Sequence, residues 1–360
     1  MSKRNYSDQR SNGLPIVGGL LAGLATVVGG WIGYSKLIVS HHAALPPAID
    51  AERKHFLSHQ AGLLNYYADT QGEGRPLVLI HSINAAGSSY EMRPLFNYYR
   101  GSRPVYALDL PGFGFSERSD RTYSPALYAR AIVDFLVTQV RQPADVVALS
   151  LSSEFAALAA LEKSDSFNTL TMISPSGFTD RSKKVASQSA SQNGSSDFFL
   201  NLFSFPLWSQ AFYDLLATPQ SIRYFLQKSF VGPVYPALAD YSYATSHQPG
   251  ARYAPLYFVS GKLFTPDIRE RVYDALRIPV SVIYDRDPFV RFDTLEPFAQ
   301  AHANWYIRRI SPTLGLPQFE HLTETAQALD DFWASQEPLQ PIETGKLAGW
   351  SAQDSSDIVQ

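Results

Sequence analysis

Short apolar, β-prone runs alternate with helical patterns through most of this chain, and this alternation limits the possible folds most strongly. Helical patterns occupy residues 125–140 and 154–161. The β-prone runs lie at 63–68, 76–81, 104–108, 145–149, 170–173, 279–284 and 305–310. Strands that alternate with helices form a mainly parallel sheet covered on both faces. We therefore expect an α/β fold with a doubly wound sheet, whose functional site lies at the carboxyl edge of the strands.

A serine-rich segment follows the β-prone run at 145–149. Residues 150–154 read Ser-Leu-Ser-Ser-Glu and lead into an alanine-rich helical pattern. A serine among small residues at a strand-to-helix turn is typical of a nucleophile elbow, where the turn exposes the hydroxyl group. We centre this elbow on Ser152, which puts Glu154 where a glycine is usual. Capping of the following helix is the alternative role for Ser152.

Together with the elbow, four further segments make residues 60–335 resemble the α/β-hydrolase superfamily, in its capped branch of esterases, lipases, dehalogenases and epoxide hydrolases. These segments are 77–82 (LVLIHS), 107–116 (ALDLPGFGFS), 284–290 (YDRDPFV) and 314–320 (LGLPQFE). The first is similar to the strand that ends in His-Gly before the oxyanion loop, and the second matches the pattern D-x-P-G-x-G-x-S. The resemblance implies acyl transfer by a serine, an acid and a histidine, in that chain order.

Within this resemblance, Ser152 is the expected nucleophile and Asp287 the acid. Asp285 competes with Asp287 for that role, and an Asp-Pro pair also suits a plain turn. The expected oxyanion donors are the backbone N–H groups of Ile83 and Ser153, each worth about 3 kcal/mol of transition-state stabilisation.

Two polar side chains beside the oxyanion loop have less direct roles. Asn84 is either an additional oxyanion donor or a turn residue. His81 usually has a structural role in this family, so we do not assign it as the base.

The histidine base is absent from its usual position. The family usually has Gly-His-Leu-Pro in this segment, and here Gly315 stands in the place of the histidine. His321, His247 in the cap insertion, and Glu154 are the candidate substitutes, since burial would raise the pKa of Glu154 enough for it to accept a proton. The plainer roles are a solvent-facing or capping His321 and a Glu154 that complements the helix macrodipole.

Two functions therefore remain open. The first is hydrolysis of a carboxylic ester or similar hydrophobic acyl substrate through Ser152. The second is a catalytically silent relative that binds a hydrophobic ligand or a protein partner, because a serine hydroxyl without a base is a weak nucleophile. Neither function implies an organic cofactor or a metal.

The N-terminal region has a different character. Residues 13–35 form a stretch without charged side chains, and a helix of this length is long enough to cross a bilayer. The basic residues Lys3, Arg4 and Arg10 precede this stretch. A cleavable signal peptide is the alternative, but residues 33–35 make a poor cleavage site, so we predict an uncleaved single-pass anchor at the membrane with the large domain on the extracytoplasmic side. Gly-x-x-x-Gly patterns at 19–23 and 29–33 would let two such helices pack as a dimer.

The expected organisation of the chain follows from these patterns. The segments are a basic N-terminus (1–13), the transmembrane anchor (14–35), a linker (36–54), the hydrolase core (55–176 and 265–335), an aromatic-rich cap insertion (177–264) and a disordered tail (336–360). Within the cap, residues 181–196 are rich in Ser, Gln and Lys and predict a mobile loop. The aromatic residues that follow predict an apolar pocket wall for a hydrophobic small molecule.

Composition excludes several other classes. The net charge is −3 over 360 residues, so there is no basic excess for nucleic acid. Cysteine is absent, which excludes disulfides, a thiol nucleophile and cysteine-ligated metal.

Overall fold

The computed structural model describes residues 14–42, 44–180 and 194–337. Within them, eight strands form one sheet in the order β1-β2-β4-β3-β5-β6-β7-β8. The strands are β1 (Glu52–Ser58), β2 (Gly62–Asp69), β3 (Leu77–Ile80), β4 (Val105–Leu108), β5 (Ala144–Leu149), β6 (Phe167–Ile173), β7 (Val280–Tyr284) and β8 (Trp305–Arg309). The pairs β1–β2 and β2–β4 are antiparallel, and all other neighbours are parallel. The expected mainly parallel α/β fold is confirmed.

The described α-helices are α1 (Leu14–Leu37), α2 (Arg93–Tyr99), α3 (Pro125–Phe135), α4 (Ser152–Glu162), α5 (Gly194–Ser204), α6 (Ser209–Leu216), α7 (Pro219–Lys228), α8 (Pro236–Ser246), α9 (Tyr253–Val259), α10 (Ile268–Arg271), α11 (Leu295–Ala301), α12 (Pro317–Glu320) and α13 (Leu322–Ser335). Helices α2 and α13 cover one face of the sheet, α3 and α4 cover the other, and further helices lie outside it. Alternate side chains of β3 enter different hydrophobic clusters. Val78 and Ile80 pack with α3 and α4, while Leu77 and Leu79 pack with α2 and α13. This alternation is the pleat of a strand buried on both faces.

Helices α5 to α9 lie between β6 and β7, in the segment that we expected to form a cap. Residues 181–193 of the predicted mobile loop lie outside the described residues, and α5 begins at Gly194, inside the predicted loop. Several large apolar side chains of this region are exposed, with Phe198 at 62 % and Tyr224 at 57 %. The cap therefore leaves part of its aromatic surface uncovered.

The C-terminal part of α1 packs on cap helix α6. Trp31 Nε1 donates a hydrogen bond to the Ala211 carbonyl oxygen (2.7 Å), and Ser35 Oγ donates to the buried Asp214 carboxylate (2.5 Å). His41 Nε2 lies 2.9 Å from the same carboxylate. These contacts connect the N-terminal helix to the cap.

The N-terminal predictions need two corrections. Among the helices that the structure describes, none combines the length and the apolar character needed to cross a bilayer, so the anchor predicted over residues 14–35 is not supported. The predicted linker (36–54) also overlaps β1, which begins at Glu52 and pairs with β2 through Ser58. Residues 1–13, and the predicted tail from residue 338 onward, lie outside the described residues.

Asp109 is the buried centre of the D-x-P-G-x-G-x-S segment. Its carboxylate accepts hydrogen bonds from Asn65 Nδ2 (2.8 Å), from the N–H and hydroxyl of Ser89, and from Phe115 N–H (2.9 Å). A Cβ at Gly114, where φ is +53°, would lie 2.0–2.2 Å from this carboxyl group. The motif therefore joins β2, β4 and the loop after β3, close to the carboxyl edge of the sheet.

Candidate active site

The turn between β5 and α4 is centred on Ser150. Ser150 has a φ of +55°, a left-handed conformation that a side chain other than glycine adopts at a cost of order 1–3 kcal/mol. Its N–H donates to the Ile173 carbonyl oxygen at the end of β6 (2.8 Å), and its side chain is partly exposed. A strained residue directly after a buried strand and before a helix has the geometry of a nucleophile elbow.

Ser152, in contrast, lies inside the first turn of α4. It is 0 % exposed, and its Oγ donates a hydrogen bond of 2.6 Å to the His81 carbonyl oxygen. A hydroxyl group that is buried and engaged in this way cannot meet a substrate. The geometry thus moves the elbow two residues toward the N-terminus from its predicted position.

The predicted oxyanion donors have different surroundings. Ile83 follows β3 and is buried, and its N–H has no hydrogen-bond acceptor among the described residues. The Ser153 N–H donates to the Ser150 carbonyl oxygen (3.0 Å), so it is already engaged. Leu151 directly follows Ser150, and its N–H likewise has no acceptor in the described part of the chain. In a nucleophile elbow, the residue after the nucleophile supplies one of the two oxyanion donors.

A buried carboxylate holds the loop after β3. Glu91 accepts from the Ser82 N–H and from Asn84 Nδ2, both at 2.8 Å, and Asn84 Oδ1 accepts from the Ala86 N–H. Asn84 is therefore a turn residue whose amide group is fully used in the loop. His81 donates from Nδ1 to the Ser82 carbonyl oxygen and accepts the Leu110 N–H at Nε2, which is a structural role.

Asp287 and Asp285 follow β7, and of these two carboxylates only that of Asp285 forms an ion pair with a described residue. Asp285 is buried, accepts from Arg309 Nε (2.7 Å) and Thr313 N–H (2.9 Å), and thereby connects two loops. Burial raises the pKa of Asp287 to about 6, although hydrogen bonds from the Phe289 and Val290 N–H groups and from the Ser174 hydroxyl oppose this shift. Asp287 is therefore a carboxyl group that exchanges a proton near neutral pH.

Gly315 lies directly beside Asp287. It has a φ of +114°, and a Cβ at this position would fall 2.7 Å from Asp287 Oδ2 and 3.9 Å from Ser174 Oγ. The structure thus brings together the predicted acid and the position at which the family usually has its histidine. The Asp287 carboxylate occupies space that a histidine side chain at residue 315 would need.

No histidine takes over this position. All eight histidines lie in the described part of the chain, and no hydrogen bond connects any of them to Ser150 or Asp287. His321 directly precedes α13, and its Nδ1 lies 3.5 Å from Glu324 Oε1. His247 is buried in the cap, where its ring stacks on Tyr243, and burial lowers its pKa.

Glu154 is a buried connection between α4 and the base of the cap. Its carboxylate accepts from Ser176 Oγ (2.5 Å) and from the Thr265 N–H (2.8 Å). The Tyr273 hydroxyl donates to the Ser176 carbonyl oxygen, which strengthens the same junction. These contacts favour a structural role for Glu154 over that of a proton acceptor.

Sequence reasoning missed Ser150, Leu151 and Ser174. A signal for Ser150 was present, because Ala148 and Ser152 flank it as small residues in the usual small-x-Ser-x-small pattern. Ser174, at a φ of +47° after β6, carried no comparable signal. Only the adjacency of β6 and β7 places it beside Asp287.

The comparisons with known proteins agree with this architecture. A family model described as the alpha/beta hydrolase family matches residues 77–328. The chain belongs to the alpha/beta hydrolase family. The uncharacterized hydrolase YugF of Bacillus subtilis (strain 168) is 34 % identical over 125 residues, which are 34 % of this chain and 44 % of that protein. The match thus spans less than half of the length of this relative.

Solved structures share the fold at low sequence identity. A probable hydrolytic enzyme from Pseudomonas aeruginosa PAO1 is 16 % identical with a TM-score of 0.62, over 82 % of this chain and 98 % of that chain. A bacterial membrane phospholipase A is 18 % identical with a TM-score of 0.60, over 90 % and 97 % of the two chains. A serine hydrolase involved in carbazole degradation is 16 % identical with a TM-score of 0.60, over 79 % and 100 %.

Proposed function

We propose that this protein hydrolyses a carboxylic ester, or a related acyl substrate with a hydrophobic body, and that Ser150 is the nucleophile. The observation that carries the proposal is the partly exposed Ser150 in a left-handed turn between β5 and α4. The N–H groups of Leu151 and Ile83 support it, since neither has an acceptor in the described residues. Ser150 takes the role predicted for Ser152, whose hydroxyl is buried against the His81 carbonyl group.

Asp287 is the proposed proton acceptor. With a pKa of about 6, its carboxyl group is mostly ionised at neutral pH and still basic enough to accept a proton. It follows β7, and the Ser174 hydroxyl that binds it lies at the end of β6, next to β5 and its elbow. In this arrangement Asp287 replaces the missing histidine.

The proposed reaction has two stages. Ser150 Oγ attacks the carbonyl carbon while its proton passes to Asp287 through one water molecule, because no direct hydrogen bond joins these two side chains among the described residues, and the Leu151 and Ile83 N–H groups stabilise the oxyanion. The bond to the leaving alcohol then breaks, the alcohol takes the proton from Asp287, and an acyl-Ser150 ester remains. Water attacks this ester and gives a proton to Asp287. Collapse releases the carboxylic acid and returns that proton to Ser150.

The aromatic character of the cap supports a hydrophobic substrate. Phe203 of α5 and Phe212 of α6 stack with ring centroids 4.4 Å apart, and Phe205 lies 4.4 Å from Trp208. A cap built from such rings favours apolar ligands at the edge of the sheet that it covers.

A catalytically silent binding protein is the second candidate, and the observation that favours it is Gly315. An enzyme that loses the base of its triad usually loses most of its rate enhancement. Only the part that comes from substrate binding and the oxyanion hole remains. Under this second proposal, the same apolar site holds a hydrophobic ligand without turning it over.

Hydrolysis of 4-nitrophenyl butyrate and octanoate by the full chain tests the first proposal. We expect Ser150→Ala to lower kcat/KM by about 10³-fold or more. Ser152→Ala is the matched control two residues away, and its rate should stay within about threefold of the parent because it loses only an internal hydrogen bond. Loss of activity in Ser152→Ala with retention in Ser150→Ala would refute the assignment. A folded parent protein with no activity on either ester would favour the silent alternative.

A further inference from the structure

A buried tyrosine connects the cap to the loop after β3, whose residues 82–87 we name the oxyanion loop. Tyr213 lies on cap helix α6 and is 1 % exposed. Its hydroxyl donates a hydrogen bond of 2.6 Å to the Ala85 carbonyl oxygen, and Ala85 packs against the small apolar cluster that contains the tyrosine ring. Among the described residues, no other hydrogen bond joins helices α5 to α9 to the oxyanion loop. Tyr213 is therefore the polar contact through which the cap holds this loop.

The core holds the oxyanion loop on the side before Ala85. The Ser82 N–H and Asn84 Nδ2 both donate to the buried Glu91 carboxylate at 2.8 Å. The proposed oxyanion donor, the N–H group of Ile83, lies between these two residues and only two residues before the carbonyl group that Tyr213 binds. An oxyanion donor acts at about 2.7–3.1 Å from the charged oxygen, and a misplacement of about 1 Å costs much of its effect. The loop must therefore be held from both ends.

Helix α6 is itself fixed on its other side. Asp214 follows Tyr213 directly and is buried, and its carboxylate accepts hydrogen bonds from Ser35 Oγ (2.5 Å) and Gln210 Nε2 (2.8 Å). His41 Nε2 lies 2.9 Å from the same carboxylate. A buried carboxylate that loses its donors is costly, so α6 stays against α1 and the segment that follows α1. This bracing makes α6 a firm support for the Tyr213 hydroxyl.

We propose that Tyr213 is a positioning residue, which holds the oxyanion loop and with it the Ile83 N–H group for the oxyanion formed at Ser150. The inference rests on the proposed hydrolysis, and Tyr213 acts through the backbone of the loop rather than on the substrate. An oxyanion donor stabilises the transition state more than the bound substrate, so a loosened loop lowers kcat and leaves KM nearly unchanged. The cap thus holds one half of the oxyanion hole in addition to covering the site.

Hydrolysis of 4-nitrophenyl butyrate by Tyr213→Phe tests the effect on catalysis. The variant keeps the ring and loses only the hydroxyl group. We expect kcat to fall about tenfold, which is part of the roughly 10²–10³-fold cost of losing a whole oxyanion donor, while KM stays within about twofold. Tyr99→Phe is the matched control, because its hydroxyl donates to the Ala326 carbonyl oxygen between α2 and α13, and it should lose stability but keep kcat. An unchanged kcat in Tyr213→Phe, with an active parent, would overturn the proposal.

Hydrogen exchange followed by mass spectrometry tests the hold on the loop without any catalysis. The Ser82 N–H donates to Glu91 and the Ala86 N–H donates to Asn84, so both amides are protected while the loop keeps its shape. We expect these amides to exchange about fivefold faster in Tyr213→Phe and at the parent rate in Tyr99→Phe. Unchanged exchange in folded Tyr213→Phe would contradict the proposal. An inactive parent whose loop responds to Tyr213→Phe would refute the hydrolysis but support the hold of Tyr213 on the loop.

Asp214→Asn is a second variant that reaches the loop through α6 and leaves Tyr213 in place. Asparagine accepts hydrogen bonds at one oxygen only, so it cannot keep Ser35, His41 and Gln210 all bound, and α6 is held less firmly. We expect the same lower kcat and faster loop exchange, each smaller than in Tyr213→Phe. This variant decides the question if Tyr213→Phe fails to fold, since no change in either quantity would then overturn the proposal.

Discussion

Replacing Asp287 with asparagine is expected to lower ester hydrolysis about 10²–10⁴-fold, the usual contribution of a positioned general base. Asparagine has nearly the same shape and still accepts hydrogen bonds from the Phe289 and Val290 N–H groups, but it cannot accept the proton of Ser150. In the parent protein, kcat/KM should rise with pH through an apparent pKa of about 6 and then level off. The measurement is a pH–rate profile of both proteins on 4-nitrophenyl butyrate.

Asp285→Asn is the matched control on the same loop. It weakens the contacts to Arg309 and Thr313, so it should reduce stability while the pH–rate profile keeps its shape. A profile that is unchanged in Asp287→Asn would contradict the assignment of Asp287 as base.

The same carboxyl group predicts how stability depends on pH. The pKa of Asp287 rises from an ordinary 3.8 in the unfolded chain to about 6 in the folded protein, so the folded state binds more protons in this window. The raised pKa of Asp287 therefore stabilises the folded state fully below a pH of 3.8, the pKa of the unfolded chain. This stabilisation is lost as the pH rises through about 6, the pKa of the folded protein. Asp287→Asn should flatten this part of the stability profile, which denaturant titration at several pH values would measure.

Gly315→Ala is expected to have the largest effect on stability, lowering the free energy of unfolding by about 2–4 kcal/mol. The φ of +114° strains any side chain, and the new Cβ would meet Asp287 Oδ2 at 2.7 Å. Asp287 is itself held by two backbone N–H groups and by Ser174, so it yields only at a cost. Chemical denaturation measures this loss.

Gly74→Ala separates backbone strain from the collision. Gly74 has a φ of +100° with nothing within 4 Å of the position of a Cβ, so it should cost only about 1–2 kcal/mol. Equal losses in the two variants would show that the collision with Asp287 contributes nothing. A larger loss at Gly315 would show that Asp287 crowds this position. A histidine added at residue 315 would meet the same carboxylate, so we expect it to act as a base only if Asp287 shifts.

Much of the fold was predictable because its core strands are apolar and its turns carry specific motifs. β3, β5 and β7 are buried along their whole length and appear in the sequence as mainly apolar runs, interrupted only by Asp145 in β5 and Ser281 in β7. β1 was missed because Glu52–Ser58 is an edge strand, mostly exposed and largely polar. Pairing with β2, rather than its own composition, makes it a strand.

The site was less predictable because its key features depend on backbone conformation and on contacts between distant segments. Ser150 has a small residue two positions away on each side, whereas Ser152 has one only on its N-terminal side, and the φ of +55° is what places the strained turn at Ser150. The role of Glu154 was equally hidden, since its partner Thr265 lies 111 residues further along the chain. The position of Gly315, in contrast, was predictable from the Leu-Pro segment that follows it, and the structure places it beside Asp287.

Labelling of the full chain with a fluorophosphonate probe, followed by mass spectrometry of the modified peptide, tests the central claim most directly. The probe reacts with a serine whose hydroxyl group is activated and accessible. The account predicts that Ser150 is labelled, that Ser150→Ala abolishes labelling, and that Ser152→Ala retains it. Label on Ser152, or a well-folded protein that takes no label at all, would contradict the assignment of Ser150 as an activated nucleophile.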